Sequence, residues 1–287
     1  MRKMFLHIGL PKTGSTSLQF WAFAHRKALA QQGIFYPEPL MKADSPKHEE
    51  LTDFFKRGDT ERLDAFFKNL PHDKTIFVSV EGLSSHLIDI ERSDERLEAF
   101  RAWITQFDVT LIAMTREPEG WLKSYHRQKI TNRPTINPDL LFATTLKLED
   151  FAQQPHIRDM LDTKGFIQRA AETYCARSTV TIPIETDWQS ALCDTLDVSG
   201  MAETLRQAPK ENIGMTDADT ELLRQANATE RWQARADLIR FFKGDPLNDL
   251  SDTDRRNLAE LIACLNPCDT ATAKRMRELQ TLVGLPT

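Results

Sequence analysis

The sequence predicts an α/β fold in which a parallel sheet carries helices on both faces and the chain ends in a helical extension. Three observations carry that expectation. Short apolar runs rich in branched residues recur along the chain, longer segments with helical periodicity separate them, and beyond about Ala202 the runs stop while helical segments continue. Strands alternating with helices imply a parallel sheet buried on both sides, which is why the runs are continuously apolar rather than alternating. The expected organisation is one domain over 1–287, with the α/β core over 1–200 and the helical C-terminal extension over 201–287.

Taken in chain order, Met4 to Ile8 reads as the first buried strand and Ser15 to Gln32 as the first helix, stopped by Gly33. Gly33-Ile34-Phe35-Tyr36-Pro37 is a short extended piece that Pro37 ends, because proline has no N–H to give a ladder. His48 to Phe55 and Leu63 to Leu70 are helical, Ile76 to Val80 is the second long strand, and Leu97 to Phe107 is the helix that follows. Val109 to Met114, Glu117 to Ile130, Phe166 to Ala176 and Val180 to Ile184 continue the alternation. The extension contains a helix from Asp217 to Asn227, another around Ala228 to Phe242, and a last pair split at Asn266-Pro267. Lys243-Gly244-Asp245-Pro246 reads as a loop, and no internal repeat or low-complexity segment is present.

The charge balance excludes some functions. With 37 Lys+Arg against 42 Asp+Glu the chain is slightly acidic, and it lacks the basic footprint of a protein that wraps nucleic acid. Binding of one small anion stays open. Apolar runs such as Ile112-Ala113-Met114 fall far short of the roughly 18 residues that a membrane-spanning helix needs, so no span is expected. Met1-Arg2-Lys3 looks like a charged leader, but the apolar stretch after it is broken by His7 and runs into PKTGST; it reads as a folded strand, hence a cytoplasmic protein. Cys175, Cys193, Cys264 and Cys268 show no paired spacing, and no His pair accompanies Cys264 and Cys268, so reduced thiols and no metal are expected. The sequence does not define an oligomeric state.

The strongest local signal is Gly9-Leu10-Pro11-Lys12-Thr13-Gly14-Ser15-Thr16, between the first strand and the first helix. A tight loop there turns backbone N–H groups and a helix N-terminus toward one point, which suits a phosphate; a chance turn before a helix cap is the alternative. Against the Walker pattern GxxxxGK[ST], Gly9, Gly14 and Thr16 match, whereas Ser15 stands where Lys belongs and Lys12 lies inside the loop. The sheet is therefore expected to be of P-loop type.

A second segment, Thr115-Arg116-Glu117-Pro118 through Ser124-Tyr125, places Arg116 at a strand end, Pro118 in the first helical turn and Ser124 about two turns along. The ligand crevice of a parallel α/β sheet lies beyond the carboxyl ends of its strands. PKTGSTSL after a strand resembles the 5′-phosphosulfate loop of the sulfotransferases that use 3′-phosphoadenosine 5′-phosphosulfate (PAPS), and the spacing of Arg116 and Ser124 resembles their 3′-phosphate site. GIFYP, the strand ending at Glu81 and the segment from Lys210 to Asn227 are similar to bacterial and Golgi-type members. The resemblance implies that Pro11, Lys12, Thr13, Gly14, Ser15, Thr16, Ser17, Arg116 and Ser124 bind PAPS without a metal, and that a sulfuryl group moves to a hydroxyl or amine of an acceptor such as a glycan or small metabolite. Lys12 would stabilise charge on the leaving bridging oxygen.

An acceptor hydroxyl needs a base. Ile76-Phe77-Val78-Ser79-Val80 leads straight into Glu81, and the resemblance implies that role for it; the alternative is a helix cap at the helix beginning near Leu83. His48 and His86 are the other candidate bases, and Lys210 and Asn212 are candidates for nucleotide contacts. Two rival functions stay open: a P-loop kinase or NTPase with a displaced lysine, in which Glu81 would hold Mg²⁺, and a non-catalytic nucleotide-binding protein of the same fold.

Overall fold

The computed structural model describes residues 1–38, 46–88, 94–135, 140–201, 215–245 and 247–285. Five strands, β1 (Arg2–His7), β2 (Ile34–Phe35), β3 (Thr75–Ser79), β4 (Phe107–Thr115) and β5 (Ser178–Pro183), form one all-parallel sheet in the order β2-β3-β1-β4-β5. Each long apolar run of the sequence is found as a strand. β2 stays two residues long, and beyond it the edge of β3 needs other hydrogen-bond partners.

Helices cover both faces. On one, α1 (Ser15–Gln31) and α10 (Trp188–Thr195) set Leu18, Trp21 and Leu192 against Phe5, Phe77, Ile112, Met114 and Ile182. Neighbouring residues on the same strands, Met4, Leu6, Ile76, Val78, Val109 and Leu111, are buried toward the opposite face, because successive side chains of a strand point to opposite sides. There Phe67 of α3 (Thr60–Lys68) meets Phe107 of β4 and stacks on Trp103 of α5 (Asp94–Ile104), while Phe100 packs on Tyr174 after α9 (Thr163–Thr173). The remaining helices of this part are α2 (Glu49–Arg57), α4 (Gly82–Ile88) and α8 (Pro155–Leu161); α6 (Pro118–Thr131) follows β4 and α7 (Leu148–Ala152) precedes α8. α4 is the helix expected near Leu83, whereas the sequence pattern does not show α7, α8 and α10, whose 5 to 8 residues are too few to display a helical period.

The described residues cluster into two compact units. The first is Met1–Trp121 with Pro155–Lys210 and contains the sheet; the second is Leu122–Gln154 with Glu211–Thr287. The expected C-terminal helices, α11 (Asp217–Asn227), α12 (Trp232–Phe242), α13 (Asp252–Ala263) and α14 (Thr270–Val283), thus share their core with a stretch from the middle of the chain. Ile130 packs with Leu222, Leu238, Leu258, Leu261 and Leu279. Buried Arg235 donates through Nη2 to the carbonyls of Ile130, Thr131 and Asn132, at 2.6, 3.0 and 2.9 Å, which satisfies orphan carbonyls at the end of α6.

Candidate functional site

The loop between β1 and α1 turns through left-handed backbone at Gly9 (φ 53°), Lys12 (φ 60°) and Gly14 (φ 86°). Gly9 is demanded by more than its dihedral angle: a Cβ there would lie 2.9 Å from Cα of Glu81, so only glycine lets the loop approach the end of β3 this closely. Lys12 adopts a conformation uncommon for a residue with a Cβ and exposes its side chain. Gly14 is the N-cap of α1 and supplies no capping side chain. The first helical bond runs from the Leu18 N–H to the Gly14 carbonyl, 3.1 Å, which leaves the N–H groups ahead of it directed out of the helix, and no acidic residue stands in that first turn.

The four hydroxyls of the loop divide into two pairs. Thr13 and Ser15 are buried and donate to the Leu10 carbonyl, at 2.7 and 3.2 Å, so they brace the turn. Thr16 and Ser17 are exposed on the outer side of the same turn. The sequence treated all four alike; their direction is set by the loop's fold.

Two further braces come from beyond β4. The Trp121 indole donates to the Pro11 carbonyl at 2.7 Å, and the Arg116 guanidinium lies 3.5 Å from the Lys12 carbonyl. Arg116, in the first residue after β4, therefore stands beside the loop as expected of a residue at the carboxyl edge of the sheet. Ser124 is half-buried on α6 and belongs to the second compact unit.

Glu81 follows β3 by two residues, and the Ser84 hydroxyl ties the two segments together by donating 2.9 Å bonds to the carbonyls of Gly9 and Glu81. Its carboxylate opens into a cleft of 390 Å³ lined by Lys47, His48, Glu49, Thr52, Asp53, Glu81, Gly82 and Ser85. Burial raises the Glu81 pKa above the ordinary carboxylate value, against the pull of the Lys47 and Lys12 ammonium groups, and Glu49 adds to the rise. Lys47 Nζ lies 3.6 Å from Oε2 of Glu81. Nothing local in the sequence singles out Lys47, because its pairing depends on how two distant segments meet.

His48 is not a base facing an acceptor. It is fully buried, its Nδ1 accepts from the Ser79 N–H at 2.9 Å, and desolvation lowers its pKa to about 3, so the ring is neutral. His7, also buried and lowered to about 3, bonds the Ser79 hydroxyl through Nδ1 at 2.7 Å. Tyr36 packs on His48 with ring centroids 4.3 Å apart and planes tilted by 37°, and it donates to the Pro46 carbonyl at 3.0 Å. The side chain of His86, and Lys210 and Asn212 entirely, lie outside the described residues.

Among the described residues no helix is long and apolar enough to cross a membrane, and no three His, Cys, Asp or Glu side chains are grouped as metal ligands. Comparison of the chain with protein-family models, with curated proteins and with solved structures returned no match.

Proposed function

We propose that the chain is a PAPS-dependent sulfotransferase that moves a sulfuryl group to a hydroxyl or amine. The observation that carries this reading is the packing of Gly9 against Glu81, which sets a strand-end carboxylate on the same rim as the loop bearing Lys12. The donor set suits a nucleotide with two anionic groups: an uncapped helix N-terminus, the exposed hydroxyls of Thr16 and Ser17, and the cations Lys12 and Arg116.

When bound, PAPS supplies a sulfur that bonds to the acceptor oxygen as the bond to its bridging oxygen breaks, the electron pair staying on adenosine 3′,5′-bisphosphate. Glu81 takes the acceptor's proton as that oxygen becomes acidic. Lys12 and the loop N–H groups face the charge that grows on the leaving side. The described lining of the cleft offers Lys47, Glu49, Thr52, Asp53 and Ser85 as hydrogen-bonding side chains, which suits a hydroxyl-rich or amine-bearing acceptor, a glycan or small metabolite.

The test is differential stabilisation. Adenosine 3′,5′-bisphosphate at a hundredfold excess over its Kd should add about 2.7 kcal/mol and raise the melting temperature, whereas ATP with Mg²⁺ at the same concentration should not. Arg116→Ala should erase most of the difference. Equal stabilisation by ATP and Mg²⁺ would turn the reading to a P-loop kinase or NTPase, and nucleotide binding with no sulfate released from ³⁵S-labelled PAPS to any acceptor would turn it to a non-catalytic binding protein.

A further inference from the structure

β2 ends at Phe35, so the edge of β3 at Ser79 has no strand beside it. His48 fills that place: its backbone N–H donates to the Ser79 carbonyl at 3.4 Å and its Nδ1 accepts from the Ser79 N–H at 2.9 Å. One residue thereby pairs both backbone groups of Ser79, as a neighbouring strand would. On the other side of Lys47, the Pro46 carbonyl is held by the Tyr36 hydroxyl. Both neighbours of Lys47 are anchored to the buried interior, and the residue between them is presented to the cleft beside Glu81.

We infer that Lys47 is a positioning residue for Glu81, held by the clamp of Tyr36 and His48 so that its ammonium keeps the carboxylate ionised and oriented at the cleft. This inference rests on Glu81 being the base in the function proposed above. A surface ion pair between two freely moving side chains contributes little, because holding both in one geometry costs entropy. Here the backbone bearing Lys47 is already fixed on both sides, so less freedom remains to be lost. The charged groups facing Glu81 are Lys12 from the loop, Lys47 from the clamped segment, and Glu49 from the start of α2, with Asp53 on the next turn of α2 lining the same cleft; His48 is neutral there. Burial and the Glu49 carboxylate oppose ionisation of Glu81, and two lysines favour it, so removing Lys47 leaves Lys12 alone on the favourable side.

The test reads the carboxylate directly and needs no acceptor. In protein labelled with ¹³C at glutamate side-chain carboxyls, the Glu81 resonance is assigned by its loss in Glu81→Gln and followed against pH in wild type, Lys47→Met and Lys47→Arg. Lys47→Met should move the Glu81 midpoint up by about one pH unit, the scale of a unit charge at this distance in solvent-rich surroundings, and Lys47→Arg should bring it back. Lys47 is half-buried at the cleft, and an unchanged melting temperature in Lys47→Met shows that the fold persists. A midpoint unmoved by Lys47→Met would overturn the inference while leaving the proposed function standing; failure to bind adenosine 3′,5′-bisphosphate would remove that function whatever the titration shows.

Discussion

Mild acid should destabilise the sheet-containing unit through His7 and His48. Both are fully buried, and both have pKa values lowered from 6.5 to about 3 by desolvation. A folded-state pKa below the unfolded one means that the stability each neutral ring contributes is complete above pH 6.5 and is lost as the pH falls toward 3, where the unfolded chain binds a proton that the folded chain refuses. Between pH 7 and pH 5 each ring is displaced from its unfolded titration by about 1.5 units, or about 2 kcal/mol at 1.36 kcal/mol per unit. The two together amount to about 4 kcal/mol, a large share of an ordinary stability of roughly 5–15 kcal/mol. At roughly 2–4 °C per kcal/mol for a domain of this size, the melting temperature should fall by about 10 °C over that range. Differential scanning calorimetry at half-unit pH steps measures the fall. His48→Asn sets an amide oxygen near the place of Nδ1, so the Ser79 N–H keeps an acceptor while the titrating group is gone; its stability at pH 7 drops through lost packing, but its further loss down to pH 5 should be about half that of wild type. Equal pH dependence in wild type and His48→Asn would show that the ring is protonated in the folded state and would refute the argument.

Two other outcomes follow from the same geometry. Glu81 has the opposite sign to the histidines: its raised pKa means that the ionised carboxylate opposes folding as pH rises through that value, so Glu81→Gln should melt no lower than wild type at pH 7 and should lose any advantage below about pH 4.5, while turnover falls by roughly 10²–10⁴. A helix-cap role would instead cost about 1 kcal/mol and spare turnover. Trp121→Phe keeps an aromatic ring near Pro11 but removes the indole donor, and a shift of about 1 kcal/mol in denaturant unfolding, with weaker binding of adenosine 3′,5′-bisphosphate, should result.

The residues of the loop were legible because their chemistry is local. Gly9, Gly14 and the hydroxyls stand at fixed offsets between an apolar run and a helical period, and a strand-loop-helix unit needs nothing distant to form that pattern. Arg116 and Glu81 were legible for a related reason: each follows a buried strand, and in a parallel sheet all strands end at the same edge. What Glu81 faces was not legible. Lys47 follows a stretch with no periodicity, and its place depends on β2 stopping early enough for His48 to occupy the edge of β3.

The sequence by itself determined the layers of the molecule: five extended runs, the helices between them, and the tight turn between β1 and α1, because burial periods and turn chemistry are properties of neighbouring residues. Tertiary structure decided the rest. It turned Thr13 and Ser15 inward and left Thr16 and Ser17 outward, it buried His48 as a surrogate strand instead of leaving it exposed as a base, and it gave the C-terminal helices a core shared with residues 122–154. Each of those outcomes depends on which distant segments meet, and contacts of that kind are selected by packing and hydrogen-bond satisfaction across the whole chain, which no local pattern encodes.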